Sequence, residues 1–180
     1  MDKKQIRRFI KEQKMLLGDT ASCVVSELAF SRLELLSEFK RANKILVYNS
    51  LSDELSTRSF ISRWHLKKKL FLPRVNGDEL EILPYKPNAL QQGAFHIEEP
   101  TGDDIVNANE MDLIIVPAVA LDRNGNRVGR GKGYYDRLLA TTKAVKIGII
   151  YDFQLFDEFD AESHDIPLDF VITPSEIVII

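Results

Sequence analysis

The sequence predicts an α/β fold in which a mainly parallel sheet lies between helices. Three observations carry this reading. Short apolar runs of strand type, such as Leu113-Ile-Ile-Val116, alternate with stretches of helical periodicity. That alternation is expected of parallel strands joined by crossover helices. A run of alternating glycines and cations, Arg127-Val-Gly-Arg-Gly-Lys-Gly-Tyr-Tyr-Asp136, falls between a strand pattern and a helix pattern, which is where such folds bind anions. Finally, 180 residues with 44% hydrophobic and 28% charged content suit one soluble domain, 1–180, with a sizeable core.

The elements follow in order. Residues 2 to 17 read as a first helix, with Ile6, Phe9 and Ile10 on one side and a basic opposite side. Asp19 is placed to cap a second helix running to about Arg41, with a stripe of Val24, Val25, Leu28, Leu35, Leu36 and Phe39. Lys44 to Asn49 is a short buried strand. A helix is expected from Thr57 to Lys67, then a strand from Lys69 to Leu72 closed by Pro73, and a weaker strand from Glu79 to Leu83. Residues 84 to 110 carry Pro84, Pro87 and Pro100 and little periodicity, so they read as a long functional loop. The strand at 113–116, the Gly-rich turn, a helix to about Thr142 and a strand at Val145 to Ile150 come next. Phe170 to Thr173 and Ile177 to Ile180 close the sheet. There is no internal repeat.

Composition excludes several classes. A net charge of −3 and a pI near 5.7 disfavour a protein that coats nucleic acid. The cations of the Gly-rich segment are therefore a local patch. No apolar run is long enough to span a membrane, and Met1-Asp-Lys-Lys-Gln5 lacks signal-peptide character. The single Cys23 cannot form an internal disulfide, and its helical setting reads as a small buried hydrophobe. The expectation is a cytoplasmic monomer.

The Gly-rich segment frees backbone N–H groups and brings Arg127, Arg130 and Lys132 to the same place, as several phosphate oxygens require. It is not a P-loop, because Gly133 follows Lys132 where Ser or Thr is needed. Nor is it the dinucleotide fingerprint, because Tyr134 stands in place of the third glycine. A solvated surface turn is the bland alternative. Asp136 reads either as a Mg²⁺ ligand beside phosphates or as an acid in the first turn of a helix. Lys3 and Arg7 share one helix face, and so do Lys4 and Arg8; either pair reaches phosphates or forms a solvated basic face. Glu54 follows the first strand and reads as an acceptor for an amino-bearing heterocycle or as a helix-capping acid. Asp165 is open between a metal contact and a turn residue. His65, His96 and His164 share no metal-ligand spacing, and no nucleophile triad is visible.

Pro117-Ala-Val-Ala-Leu-Asp122 with Asn126-Arg-Val-Gly-Arg-Gly-Lys-Gly-Tyr-Tyr-Asp136 closely resembles the signature of the 5-formyltetrahydrofolate cyclo-ligase (methenyltetrahydrofolate synthetase) family. The basic N-terminal helix, Tyr48 to Ser56, Pro73-Arg74, Phe95-His-Ile-Glu-Glu-Pro100 and His164-Asp-Ile-Pro167 fall in family order, so the likeness spans nearly the whole chain. The resemblance implies a three-layer α/β/α, NagB/RpiA/CoA-transferase-like fold. It implies ATP- and Mg²⁺-dependent conversion of 5-formyltetrahydrofolate to 5,10-methenyltetrahydrofolate through a phosphorylated formyl group. It implies ATP contacts from Lys3, Arg7, Arg127, Gly129, Arg130, Gly131, Lys132, Gly133, Tyr134 and Tyr135. Ile6-Arg7 matches a family pair and selects Lys3 and Arg7 over Lys4 and Arg8. It assigns the folate to Asn49, Glu54 and Arg130 through Tyr134, chemistry to Arg130, Lys132 and Tyr134, and Mg²⁺ to Asp136 and Asp165. Two other readings are an RNA-binding module using the cations and tyrosines of the Gly-rich segment, and a sugar-phosphate isomerase on a related scaffold.

Overall fold

The computed structural model describes residues 1–18 and 21–180, and it is a mixed α/β protein. Five α-helices occur among the described residues: α1 Lys3–Met15, α2 Ala21–Leu35, α3 Ser37–Arg41, α4 Arg58–Trp64 and α5 Tyr134–Leu139. The strands are β1 Lys44–Leu46, β2 Lys69–Asn76, β3 Glu79–Pro84, β4 Leu90–Gln92, β5 Glu98–Pro100, β6 Leu113–Val116, β7 Ala120–Asp122, β8 Arg127–Val128, β9 Val145–Ile149, β10 Leu155–Phe156, β11 Phe170–Ile172 and β12 Ile177–Ile179. Seven of them form the central sheet in the order β12-β11-β9-β6-β1-β2-β3. The five inner strands are parallel, and the two edges, β12 and β3, are antiparallel.

Alternation along the strands explains the layers. Ile45, Leu70, Leu113, Ile115 and Ile147 face a core closed by Phe30, Phe39 and Phe60 of α2, α3 and α4. Their neighbours Leu46, Phe71, Ile114 and Val116 face the other side, closed by Leu138 and Leu139 of α5. Helix α1 starts at a capping box: Asp2 accepts from the N–H of Gln5 at 2.8 Å, and Gln5 returns a bond to Asp2 N–H at 3.0 Å. Its Ile6 and Ile10 are buried against Val119, Ala120 and Val128, so α1 packs on a small sheet, β10-β7-β8, rather than on the central one.

Several expectations are corrected. The expected second helix is two helices, because Leu36 is extended (φ −67°, ψ 137°) and the chain turns there to bury Phe39. Ring packing directs that turn, since Phe39 lies 4.9 Å from Trp64 and 5.9 Å from Phe60. Val24, Leu28 and Leu35 of the expected stripe are exposed, and Ala29, Phe30 and Leu33 fill the core instead. The expected cap Asp19 lies outside the described residues. Cys23 is exposed, not buried, because it shares the outward side of α2. Strand β1 ends at Leu46, short of Asn49.

Pro73 does not close β2, which continues to Asn76. Tyr85 N–H donates to Leu70 O, so the even residues of β2 carry the ladder to β3 and Pro73, opposite Ile82, falls between those bonds. The stretch 84–110 is not one loop; it holds the β4–β5 hairpin and two short 3₁₀ turns, Ala94–His96 and Ala108–Glu110. The β7–β8 hairpin separates β6 from the Gly-rich segment, so that turn extends from the small sheet and not directly from the central strand. Helix α5 ends at Leu139, short of Thr142. Among the described residues no helix is long and apolar enough to cross a membrane.

Candidate functional site

Strands β1 and β6 are neighbours at the centre of the sheet. The chain leaves β1 toward β2 on one side and leaves β6 toward β9 on the other. Their carboxyl ends therefore diverge, which opens a crevice. A cleft of about 490 Å³ lies there, lined by Tyr48 and Asn49 after β1, Pro117 to Val119 after β6, and Gly129 to Asp136.

The loop after β1 is held by short polar bonds. Thr57, fully buried, donates its hydroxyl to Tyr48 O at 2.7 Å and accepts from Ser50 N–H at 3.1 Å. Ser50 Oγ accepts from Thr57 N–H at 3.0 Å. Glu54 Oε2 accepts from Leu51 N–H at 2.9 Å, so its carboxylate is fixed in the cleft wall and almost wholly covered. Asn49 also lines the cleft, with its amide donating to Glu98 O at 2.9 Å.

The Gly-rich segment is anchored by Arg127. Its side chain is buried; Nη1 donates to Pro117 O at 3.0 Å and Nη2 to Asp136 Oδ1 at 2.7 Å. Gly131 (φ +97°) and Gly133 (φ +73°) use left-handed backbone that other residues rarely adopt, and Gly133 leads into α5. Arg130 and Lys132 are exposed at the cleft. Arg130 bridges to Asp53 Oδ1 at 3.1 Å and Glu54 Oε1 at 3.0 Å, and Lys14 holds Asp53 from α1 at 3.2 Å. Burial pushes the Asp53 carboxyl up, but Lys14 and Arg130 outweigh it and hold the group below its ordinary range. Tyr134 donates to Gly77 O at 3.3 Å, so α5 is tied to the β2–β3 turn. Arg137, the next residue after the segment, bonds the Asp78 and Lys132 carbonyls and does not line the cleft.

Helix α1 presents Lys3 and Arg7 to the cleft, while Lys4 and Arg8 face solvent. Arg7 Nε donates to Gly129 O at 2.8 Å. Lys3 Nζ meets both oxygens of Asp165 at 2.7 Å and Glu162 at 2.8 Å. Burial lowers the Lys3 ammonium, but these bonds prevail and raise it above its usual value. Asp165 is shifted down for the reciprocal reason, although burial opposes the shift. Asp165 thus stands behind Lys3, whereas Glu162 and His164 line the cleft. Ligand atoms of Glu162, His164 and Asp165 lie within 4.8 Å of one another. Sequence reasoning set His164 aside, because its acidic neighbours converge only through the local turn, where Glu162 N–H donates to Asp165 Oδ2 at 2.7 Å. Each expected metal carboxylate, Asp136 and Asp165, already faces a cation of the chain. Oxygen donors of this kind suit a hard divalent ion.

Tyr48 and Tyr135 were not read as neighbours of Glu54 in the sequence. Burial first, then the Glu54 charge, pushes both phenols well above their ordinary pKa. The Arg127 guanidinium lies 5.9 Å from the Tyr135 ring centre. Among the described residues, Arg127 Nε and Tyr135 Oη are the buried side-chain atoms without a hydrogen-bond partner. Both belong to residues of this cleft.

Glu99 was also missed. It is buried in the cleft wall and accepts from Val75 N–H at 2.5 Å and Ala94 N–H at 2.9 Å, so it ties the β4–β5 hairpin to β2. The only signal was its place in Phe95–Pro100. A Cβ on Gly93 would lie 1.5 Å from Glu99 Oε1 and 2.4 Å from its Cγ. Gly93→Ala should therefore expel the carboxylate and strand two backbone donors, at a cost of about 1–3 kcal/mol. A urea midpoint unchanged from that of the parent chain would contradict this.

A profile of the 5-formyltetrahydrofolate cyclo-ligase family matches residues 1–174. The chain is 30% identical to the Escherichia coli K12 5-formyltetrahydrofolate cyclo-ligase over 179 residues, covering 94% of this chain and 98% of that protein. It is similar to the solved structure of Aquifex aeolicus 5,10-methenyltetrahydrofolate synthetase, with a TM-score of 0.91, 35% identity and coverage of 99% and 93%. The Mycoplasma pneumoniae 5,10-methenyltetrahydrofolate synthetase gives a TM-score of 0.76 at 25% identity, with coverage of 97% and 99%.

Proposed function

The chain belongs to the 5-formyltetrahydrofolate cyclo-ligase family, and from that premise we propose that its cleft converts 5-formyltetrahydrofolate to 5,10-methenyltetrahydrofolate, using ATP and Mg²⁺ and releasing ADP and phosphate. One juxtaposition carries the reading. The glycine-and-cation loop at 129–133, the α1 cations Lys3 and Arg7, and the covered carboxylate Glu54 line a single cleft. Such a lining offers cations and backbone N–H groups to a phosphoryl donor and an acceptor carboxylate to a nitrogen heterocycle.

The formyl oxygen of an N-formyl amine is a poor leaving group, and ring closure has to expel it. Transfer of the terminal phosphoryl group to that oxygen breaks the bond to ADP and makes an imidate phosphate. N10 then attacks the formyl carbon. Phosphate departs with the electrons of the C–O bond, and the N10 proton is lost to solvent. The chain's work is positioning and charge neutralisation, for which no protein nucleophile is needed. In this reading Lys3, Arg7, Arg127, Gly129 to Gly133 and Tyr134 hold the nucleotide phosphates. Arg130, Lys132 and Tyr134 also meet the reacting oxygen and offset the charge that builds on it. Glu54 and Asn49 orient the heterocycle. Asp136, which lines the cleft, would hold Mg²⁺, and Asp165 would join it where Lys3 turns from the carboxylate to the phosphates; the ion when bound supplies positive charge to the phosphates.

Mixing the protein with 5-formyltetrahydrofolate, ATP and Mg²⁺ should produce the ultraviolet absorbance of the methenyl product. No rise at high enzyme concentration sinks the reading. A rise that does not depend on ATP removes the nucleotide from it, and salt-sensitive RNA binding in place of turnover would favour the RNA-binding alternative.

A further inference from the structure

We propose that Tyr135 is a folate-recognition residue, whose hydroxyl donates a hydrogen bond to the ring carbonyl of the pterin while Glu54 accepts from the ring's adjacent N–H groups. The inference rests on the folate reading above and deepens it, because family resemblance places Tyr135 with the nucleotide.

The first observation is the orphan hydroxyl. Tyr135 Oη is buried and has no partner among the described residues, yet the residue lines the cleft. A buried hydroxyl without a partner is costly, and such groups in a site await a ligand atom. The second is the holding of the ring. Tyr135 sits in the first turn of α5, and the Arg127 guanidinium lies 5.9 Å from its ring centre. Arg127 is itself pinned to Pro117 O at 3.0 Å and Asp136 at 2.7 Å. The ring therefore cannot swing away easily to satisfy its hydroxyl in water.

The third observation is the neighbour. Tyr135, Tyr48 and Glu54 line the same cleft, where burial first and then the Glu54 charge raise both phenols. Glu54 Oε2 accepts one backbone bond and Oε1 accepts from Arg130. A carboxylate has about four acceptor sites, so capacity remains for ring donors. A phenol is a donor at neutral pH. A donor beside an acceptor matches the pterin edge, where the C4 carbonyl stands next to N3–H and the 2-amino group. A nucleotide phosphate offers acceptors only and would be repelled by Glu54, so the pairing favours the folate.

Tyr135→Phe removes the hydroxyl and keeps the ring. Calorimetry without nucleotide should show 5-formyltetrahydrofolate binding weakened about tenfold, the equivalent of one lost hydrogen bond. ADP binding should be unchanged, and KM for folate should rise with little change in kcat. Because the hydroxyl has no partner among the described residues, the melting temperature of the free protein should hold or rise. A fall in melting temperature would assign the hydroxyl a structural bond and overturn the inference. Weaker ADP binding with unchanged folate binding would move the residue to the nucleotide and overturn it too. Wild-type protein that binds no 5-formyltetrahydrofolate would instead overturn the folate reading itself.

Discussion

Arg127→Met is expected to lower both stability and turnover, and the two losses should be separable. Methionine keeps most of the buried volume but leaves Pro117 O without its Nη1 donor and Asp136 without its 2.7 Å partner. Removing one member of a buried ion pair costs about 3–5 kcal/mol, and the partial exposure of Asp136 reduces that to roughly 2–3 kcal/mol. Urea unfolding measures it. Turnover should fall further, by at least about 100-fold in kcat/KM, because a cation and the placement of the carboxylate are lost together. Adding Asp136→Asn to Arg127→Met should recover part of the stability, since no unpaired carboxylate is left, without recovering turnover. If the double variant is no more stable than the single, the ion pair is not what Arg127 contributes to the fold.

Gly131→Val should differ from Arg127→Met by strongly weakening nucleotide binding while leaving the fold nearly intact. Gly131 has φ +97°, and a β-branched residue held there costs on the order of 1–3 kcal/mol. No protein atom lies within 4 Å of a Cβ added at this position, so no clash threatens the core. The exposed turn will relax toward negative φ and lose the conformation that presents its N–H groups. We expect ATP KM to rise at least about 100-fold, since several charge-assisted bonds are each worth about 1.5–3 kcal/mol. Gly131→Ala should fall between the two. Normal ATP binding by the valine variant would mean that the turn's backbone does not cradle phosphate.

The legibility of this protein varied with how local the determining physics is. Helix α1, strands β6 and β9 and the turn conformation of the Gly-rich segment were readable because apolar period and glycine spacing act within a few residues. The Lys3 and Arg7 face could be named from helical spacing, but the choice over Lys4 and Arg8 is set by burial of Ile6 and Ile10 against Val119, Ala120 and Val128. Helix α2 misled the reading because it is apolar on more than one side; which side is buried depends on Phe39, Phe60 and Trp64 meeting elsewhere. Pro73 misled it because a proline stops a strand only where its missing N–H is needed, and that depends on the register with β3. The burial of Glu99 and of the Tyr135 hydroxyl gave no local signal, since it is created by segments distant in the chain.

The sequence by itself determined the α/β class and the loop of glycines and cations, because these follow from periodicity and short spacing, and the resemblance of 117–136 to a family signature pointed to the family. Only the tertiary structure decided that the loop faces Glu54 across one cleft. It alone tied Arg127 to Asp136, put Lys3 in front of Asp165, and left the Tyr135 hydroxyl without a partner among the described residues. The physical reason is that pairing and desolvation depend on which groups the parallel sheet brings together at the diverging ends of β1 and β6, and no local stretch of chain encodes that meeting.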